Sequence, residues 1–533
     1  MRKRAESGIL ILGVLFILSF LIIAGNYLRI ATDTEFAEAA TQSGEYRIEA
    51  ESARGTIYDR NMNPLVNRNS EFTAAVIPQA VEKNKVMSYA EDKAEFAEKY
   101  SRGQPFLFRS TSYIDESEGL TVFRIPVRYS ENQIAQHLIG YTSQGEGVSG
   151  IEAAYDKILR SCETENSVTY SADGFGRVLA GDGKVTEKSG VPSAGVVTTI
   201  DSEIQRICEA AGADIKCGAI SVADIKTGDI TALASFPDYS VYSLEDALSD
   251  EDSPMINRNL YSYSVGSVFK LVTACQALKE DYAGYKYDCG GSVNVNGQQF
   301  LCHDLDGHGI QSLKDAVVNS CNTYFISLSQ LLKVGELRET AFTLGFGREI
   351  HLCSGMTASA GVLPTEEELS ISAELANFSF GQGRLTASPL QVLQMTCAIA
   401  NGGKMPVLRV IKGITSDGVS VENEKEPRFA YTMDEKIAEQ LGGMMKAAVE
   451  ENENSNARSA EVSTAAKTST AQTGRFREDG EEICNAWITG YFPADSPKYA
   501  VTVLVEDGGF GNDSAAPVFK RIAEEIVKYE KKK

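Results

Sequence analysis

No Cys-x-x-Cys pair occurs in the 533 residues of this chain, which counts against a structural zinc site. Its ten cysteines are few for a disulfide scaffold of this length. Positive charge is in deficit: the formal net charge is −22, which argues against nucleic acid as a partner. Tryptophan is almost missing, Trp487 being the only one. What remains is ordinary for a folded protein, with 43% hydrophobic and 23% charged residues. The length suits two or three domains with ample core.

One run is both uncharged and almost wholly apolar. Gly8 to Gly25 spans 18 uncharged residues, close to what a bilayer core requires. Arg2, Lys3 and Arg4 precede it, so the amino terminus is expected in the cytoplasm and the body outside, as a single-pass protein of the cell membrane. No clear Ala-x-Ala site follows closely, which favours an uncleaved anchor over a signal peptide. Residues 26–195 alternate polar stretches with short apolar runs and hold no evident catalytic cluster. The composition changes near Val196.

From there Val196–Ile200, Gly218–Asp224 and Asp229–Phe236 read as strands, the last two joined by a turn at Lys226-Thr227-Gly228. Runs at 466–472, 486–492 and 499–505 read as three closing strands, followed by an amphipathic helix over 519–529. The middle is mostly helical, with Ser312–Leu331, interrupted by the polar triplet Ser320-Cys321-Asn322, and Pro389–Ala400 as its clearest helical stretches. Strands at both ends and helices between predict an α+β domain, an antiparallel sheet assembled from both ends with helices stacked on it. Cys289 and Cys302 flank a Gly- and Asn-rich hairpin, where a disulfide and two free thiols both remain open.

The chemistry concentrates where Tyr263-Ser264-Val265-Gly266-Ser267-Val268-Phe269-Lys270 enters a helix apolar on all sides. Ser267 and Lys270, three residues apart, share a helix face. A hydroxyl beside a partly desolvated amine, near the positive end of a helix dipole, is how a serine becomes nucleophilic without histidine. Ser-x-x-Lys alone recurs by chance. It gains weight from Ser320-x-Asn322 and Lys467-Thr468-Ser469-Thr470, which follow in that order.

This trio resembles the S-x-x-K, S-D-N and K-T-G clusters of penicillin-binding proteins and class A β-lactamases. The chain as a whole resembles a class B penicillin-binding protein, a monofunctional peptidoglycan D,D-transpeptidase. Arg54-Gly55, Asp59-Arg60-Asn61 and Gly147–Glu152 are similar to that family's pedestal motifs. Phe380-Gly381-Gln382-Gly383, Pro389-Leu390-Gln391 and Ala400-Asn401-Gly402-Gly403 follow the order of its catalytic domain. The resemblance implies a cytoplasmic stub at 1–7, an anchor at 8–25 and a stalk with a dimerisation-like pedestal at 26–195. A transpeptidase domain of the penicillin-binding and serine β-lactamase fold would occupy 196–533.

It also implies roles. Ser267 would attack the carbonyl between the D-alanines of a stem pentapeptide, Lys270 would take the serine proton, and Ser320 would relay a proton to the leaving amine. Asn322 would hold the substrate backbone and Lys270. Lys467, Thr468 and Thr470 would receive the terminal carboxylate, and the backbone N–H groups of Ser267 and Thr470 would form the oxyanion hole. Ser469 stands where the family has glycine, as does Ala466. A side chain on a cleft strand is expected to narrow the site or to add a hydrogen bond, and Ser469 counts with Thr468 and Thr470 among the expected substrate-binding residues. Val265 replaces a common proline.

β-Lactams are the implied covalent inhibitors. A SEDS-type membrane glycosyltransferase and division or elongation proteins are the implied partners. No cofactor and no metal are expected; His303, Asp304, Asp306 and His308 fit no tight zinc pattern and read as a polar loop. Two other readings share the fold. A carboxypeptidase or β-lactamase-like hydrolase would let water deacylate Ser267, and a β-lactam-sensing scaffold would do no chemistry. An anchor with a long pedestal favours the synthase over a secreted hydrolase, and intact motifs argue against a dead enzyme.

Overall fold

The computed structural model describes residues 2–32, 45–173, 178, 185–188 and 190–533. The chain forms two compact units. The first comprises Met1–Arg54, Asn69–Arg128 and Glu163–Pro192, and the second Gly55–Arg68, Tyr129–Cys162 and Ser193–Lys533.

In the first unit a helix runs from Arg2 to Thr32. Its stretch Leu10–Arg29 has a mean hydropathy of 2.3 and is long and apolar enough to cross a membrane. The stalk expected after it lies partly outside the described residues, at 33–44. Two small antiparallel sheets follow. Glu45–Ala53 pairs with Thr164–Ser171, which pairs with Val185–Lys188. Asn69–Val76 lies between Phe106–Ser110 and Leu120–Val127. The helix Lys93–Ser101 begins at Asp92, whose carboxylate accepts from the N–H groups of Ala94 and Glu95. It packs Phe96 edge-on against Phe106 and Phe108.

The second unit is built on five antiparallel strands in the order Ile230–Phe236, Gly218–Asp224, Tyr499–Val505, Glu482–Phe492 and Ala465–Phe476. Two early strands and three closing strands thus join side by side in one antiparallel sheet, as the sequence pattern implied. Tyr499–Val505 is buried at every position, which is why it reads as an apolar run broken only by Thr502. Alternate residues serve opposite faces. Ile220, Val222, Ile488, Val501 and Val503 share one cluster with Ile204 and Phe519, from the helices Ser202–Ala211 and Gly511–Lys532. Leu233, Trp487 and Leu504 share the other with Leu271 and Leu390, from Lys270–Lys279 and Pro389–Ala400.

The strand at Val196 departs from expectation. Gly195–Thr198 stays out of the large sheet and pairs in parallel with Thr56–Tyr58 and antiparallel with Ile411–Thr415. Local pattern identifies a strand; only the tertiary fold chooses its neighbour. Asp201 then caps Ser202–Ala211 through the N–H groups of Glu203 and Ile204. The helical region over 312–331 is interrupted at its polar triplet, as expected, and forms Leu313–Val318 and Asn322–Ser329. Ser320, at a φ of +52°, makes the break.

Candidate active site

Ser267 sits in a single 3-10 turn, Gly266–Phe269, that leads into the helix Lys270–Lys279. Two glycines make this turn possible. Gly266 has a φ of +63°, and a Cβ there would fall 2.3 Å from the Ser469 Oγ. Its N–H donates to the Gly381 carbonyl at 2.8 Å. A Cβ on Gly381 would meet the Gly266 carbonyl oxygen at 2.0 Å. The Trp487 Nε1 donates to the Ser264 carbonyl at 3.0 Å, fixing the approach to the turn.

Lys270 is fully buried. Its Nζ donates to the Ser320 carbonyl at 2.5 Å, to the Ser320 Oγ at 3.2 Å and to the Asn322 Oδ1 at 2.7 Å. Those contacts match the three donors of an ammonium. The Phe325 ring lies 5.8 Å from the amine. Burial, and then the positive charge of Lys467, hold the Lys270 pKa well below the usual lysine range.

Lys467 is also buried. Its Nζ donates to the Ser320 Oγ at 3.1 Å and to the Thr468 carbonyl at 3.0 Å. Burial lowers its pKa to about 8. The Ser320 hydroxyl therefore stands between two amines, one from the nucleophile helix and one from the closing strand. Ser267, Ser320, Asn322, Lys467, Thr468 and Thr470 line one cleft of about 960 Å³. The Thr470 Oγ1 accepts from the Gly511 N–H at 3.3 Å, leaving its own proton for a ligand.

Ser469 adds a hydrogen bond, one of the two outcomes expected of it. Its side chain is 3% exposed, and its hydroxyl donates to the Val265 carbonyl at 2.9 Å. On an alternating strand Lys467 and Ser469 share the inner face while Thr468 and Thr470 share the other. The added hydroxyl ties the strand to the serine turn, on a residue that also lines the cleft.

Cys289 and Cys302 are free thiols, not a disulfide. Their sulfurs lie 3.6 Å and 3.5 Å from the His308 Nδ1. With Cys321, the centre of the Ser320-Cys321-Asn322 triplet, they place four potential metal-ligating atoms within 4.8 Å of one another. The reading of His308 as one member of a polar loop missed this. The only sequence signal was a cysteine inside the triplet, since the four residues come from separate segments.

The sequence profile of the penicillin-binding protein transpeptidase domain matches residues 218–524, and that of the penicillin-binding protein dimerisation domain matches residues 49–192. Stage V sporulation protein D of Bacillus subtilis is 27% identical, over 96% of this chain and 84% of its own length. Peptidoglycan D,D-transpeptidase MrdA of Acinetobacter baumannii is 25% identical, over 97% of this chain and 88% of its own. Penicillin-binding protein A from M. tuberculosis, solved as a ceftriaxone acyl-enzyme complex, superposes with a TM-score of 0.66 at 22% identity, covering 88% of this chain and 97% of that one. A profile match over more than half its length and a serine–lysine cleft in the corresponding domain lead to one conclusion: the chain belongs to the penicillin-binding protein transpeptidases, serine enzymes that act as peptidoglycan D,D-transpeptidases.

Proposed function

We propose that Ser267 is the acylated nucleophile of a membrane-anchored enzyme that cross-links peptidoglycan stem peptides. The observation that carries this reading is the Ser320 hydroxyl shared by Lys270 and Lys467, at 3.2 Å and 3.1 Å, in the cleft that Ser267 lines. A neutral Lys270, favoured by its burial, accepts the Ser267 proton as the oxygen attacks the carbonyl between two D-alanines. The developing oxyanion takes hydrogen bonds from the backbone N–H groups of Ser267 and Thr470, a donor of this kind being worth roughly 3–4 kcal/mol. Collapse expels D-alanine, whose amine receives a proton through Ser320. An amine of a neighbouring stem peptide then takes the acyl group and frees Ser267.

Asn322 keeps Lys270 in place, and Lys467, still largely charged at neutral pH, draws the terminal carboxylate toward Thr468 and Thr470. The same pocket would accept β-lactams, whose carboxylate and strained amide imitate this arrangement. The apolar helix at Leu10–Arg29 and the dimerisation profile at 49–192 support an anchored enzyme whose catalytic unit lies outside the cell membrane. They also support work beside a SEDS-type glycosyltransferase in division or elongation.

The test is covalent labelling of the full-length chain by fluorescent penicillin. Label is expected on the wild type and lost in Ser267→Ala; label surviving that change removes Ser267 as the nucleophile. Label that persists for minutes to hours supports transfer to an amine, and label lost within seconds identifies a hydrolase.

A further inference from the structure

The helix Glu435–Glu450 carries two adjacent glycines, Gly442 and Gly443, in its middle turns. Each weakens a helix interior relative to alanine, so each calls for a reason. For Gly442 the reason is Tyr491, because a Cβ there would fall 2.6 Å from the Tyr491 hydroxyl oxygen. For Gly443 packing supplies none, since nothing lies within 4 Å of the place its Cβ would take. The missing side chains open one wall of a cavity of about 780 Å³ that shares no lining residue with the catalytic cleft.

Tyr491 lines this cavity and is only 4% exposed. Among the described residues its hydroxyl has no hydrogen-bond partner. A buried phenol normally finds one, so this one is left for a ligand. Burial, and then the Asp495 carboxylate, push its pKa up to about 12, which keeps it a neutral donor at physiological pH. The charges around it nearly cancel: Lys226, Lys404 and Lys446 face Asp434, Glu435, Glu439 and Asp495. Lys446 pairs with Asp495 at 2.6 Å, and Lys226 donates to the Asn401 Oδ1 at 3.0 Å. Such a lining selects no ion of either sign. It offers donors and acceptors to a neutral, hydroxyl-rich ligand.

Tyr431 adds a flat apolar face. It is 77% exposed on the strand Phe429–Tyr431, lines the same cavity and has the Lys404 Nζ 5.9 Å from its ring centroid. An aromatic face beside polar groups matches a pyranose, which presents C–H bonds on one side and hydroxyls around its edge. The helix that carries the notch also reaches the catalytic cleft, where Ala448 and Val449 form part of the wall. Gly443 and Val449 stand roughly 9 Å apart along its axis, at about 1.5 Å per residue. An extended pentapeptide spans about 17 Å.

We propose that this cavity binds the N-acetylated sugar strand to which the stem peptides are attached, so that a strand seated beside Gly443 presents its peptide to the cleft. The inference rests on the transpeptidase reading and adds a saccharide subsite to it.

The probe is tetra-N-acetylchitotetraose, added to the full-length protein in a detergent without a sugar headgroup and followed by saturation-transfer NMR and calorimetry. Saturable binding is expected. Tyr431→Ala removes the platform, and Gly443→Leu fills the notch while favouring the helix; each is expected to weaken binding roughly tenfold or more. Both variants are expected to keep the wild-type rate of penicillin acylation and to slow the cross-linking of stem peptides attached to glycan. Binding unchanged in both variants, or tetraose displaced by a sugar-free stem pentapeptide, overturns the assignment. A chain labelled by penicillin at Ser267 that shows no saturable tetraose binding overturns the role of the cavity and leaves the transpeptidase reading standing. Tetraose binding in a chain whose label survives Ser267→Ala removes Ser267 as the nucleophile and leaves the cavity a saccharide site.

Discussion

The Ser469 hydroxyl donates to the carbonyl of Val265 at 2.9 Å. This bond spans the two backbone segments that supply the proposed oxyanion donors, since Thr470 follows Ser469 and Ser267 lies two residues after Val265. It therefore sets the separation of the two N–H groups. Removing it in Ser469→Ala is expected to slow acylation by roughly 2–10-fold, the value of one hydrogen bond of about 0.5–1.5 kcal/mol. The second-order rate with a fluorescent penicillin measures this. A rate equal to that of the wild type would show that the bond does not govern the oxyanion site.

Gly266→Ala meets two penalties at once. Its φ is +63°, and the new Cβ would lie 2.3 Å from the Ser469 Oγ. Left-handed backbone alone costs a non-glycine residue about 1–2 kcal/mol. Labelling is expected to fall sharply and to recover in part when Ser469→Gly removes the overlap. A double-mutant cycle reads the coupling; strictly additive losses would mean that the two residues do not interfere.

Acylation is expected to trace a bell against pH. The rising limb reflects loss of the Lys270 proton, at a pH well below the ordinary lysine range. The falling limb, near pH 8, reflects loss of the Lys467 charge. Lys467→Arg keeps its charge to far higher pH and is expected to abolish the falling limb at a lower maximal rate. The same depressed values act on stability in the opposite sense to a salt bridge. Between pH 8 and the unfolded lysine pKa of about 10.4 the unfolded chain binds more protons, so stability from Lys467 rises with pH across that window.

Asn322→Asp puts a carboxylate where an amide oxygen stands 2.7 Å from the Lys270 Nζ. An opposite charge so close shifts a pKa by about 1–3 units, here upward. The rising limb moves to higher pH by that amount, and acylation on that limb falls. A pH–rate profile of the variant checks it, and a limb that stays in place would remove Lys270 as the proton acceptor.

Elements with purely local signals were legible in the sequence. Pro389–Ala400 carries its own start, Ser388 capped reciprocally with Gln391 and a proline in the first turn. Tyr499–Val505 announced itself by a run of apolar residues broken only by Thr502. What needed the fold was the choice of partner, as when Gly195–Thr198 joined Thr56–Tyr58 and left the large sheet alone. The amines and hydroxyls of the site were visible through their motif spacing. The direction of Ser469 was not, because strand alternation gives two faces without saying which one the serine turn will cover. The thiols around His308 escaped for another reason. Their segments have no common spacing, and only the folded hairpin and helix bring them together.

Ala465–Phe476 is the last strand in its sheet, paired with Glu482–Phe492 along one side only. Such an open margin is usually blunted against self-association. This one carries Lys467, Thr468 and Thr470 into the cleft, so a visiting peptide can extend the sheet by its own amides. Recognition of that kind reads the main chain before the side groups. Changing a residue along the donor is then tolerated far better than replacing one of its amide N–H groups by an ester oxygen or an N-methyl.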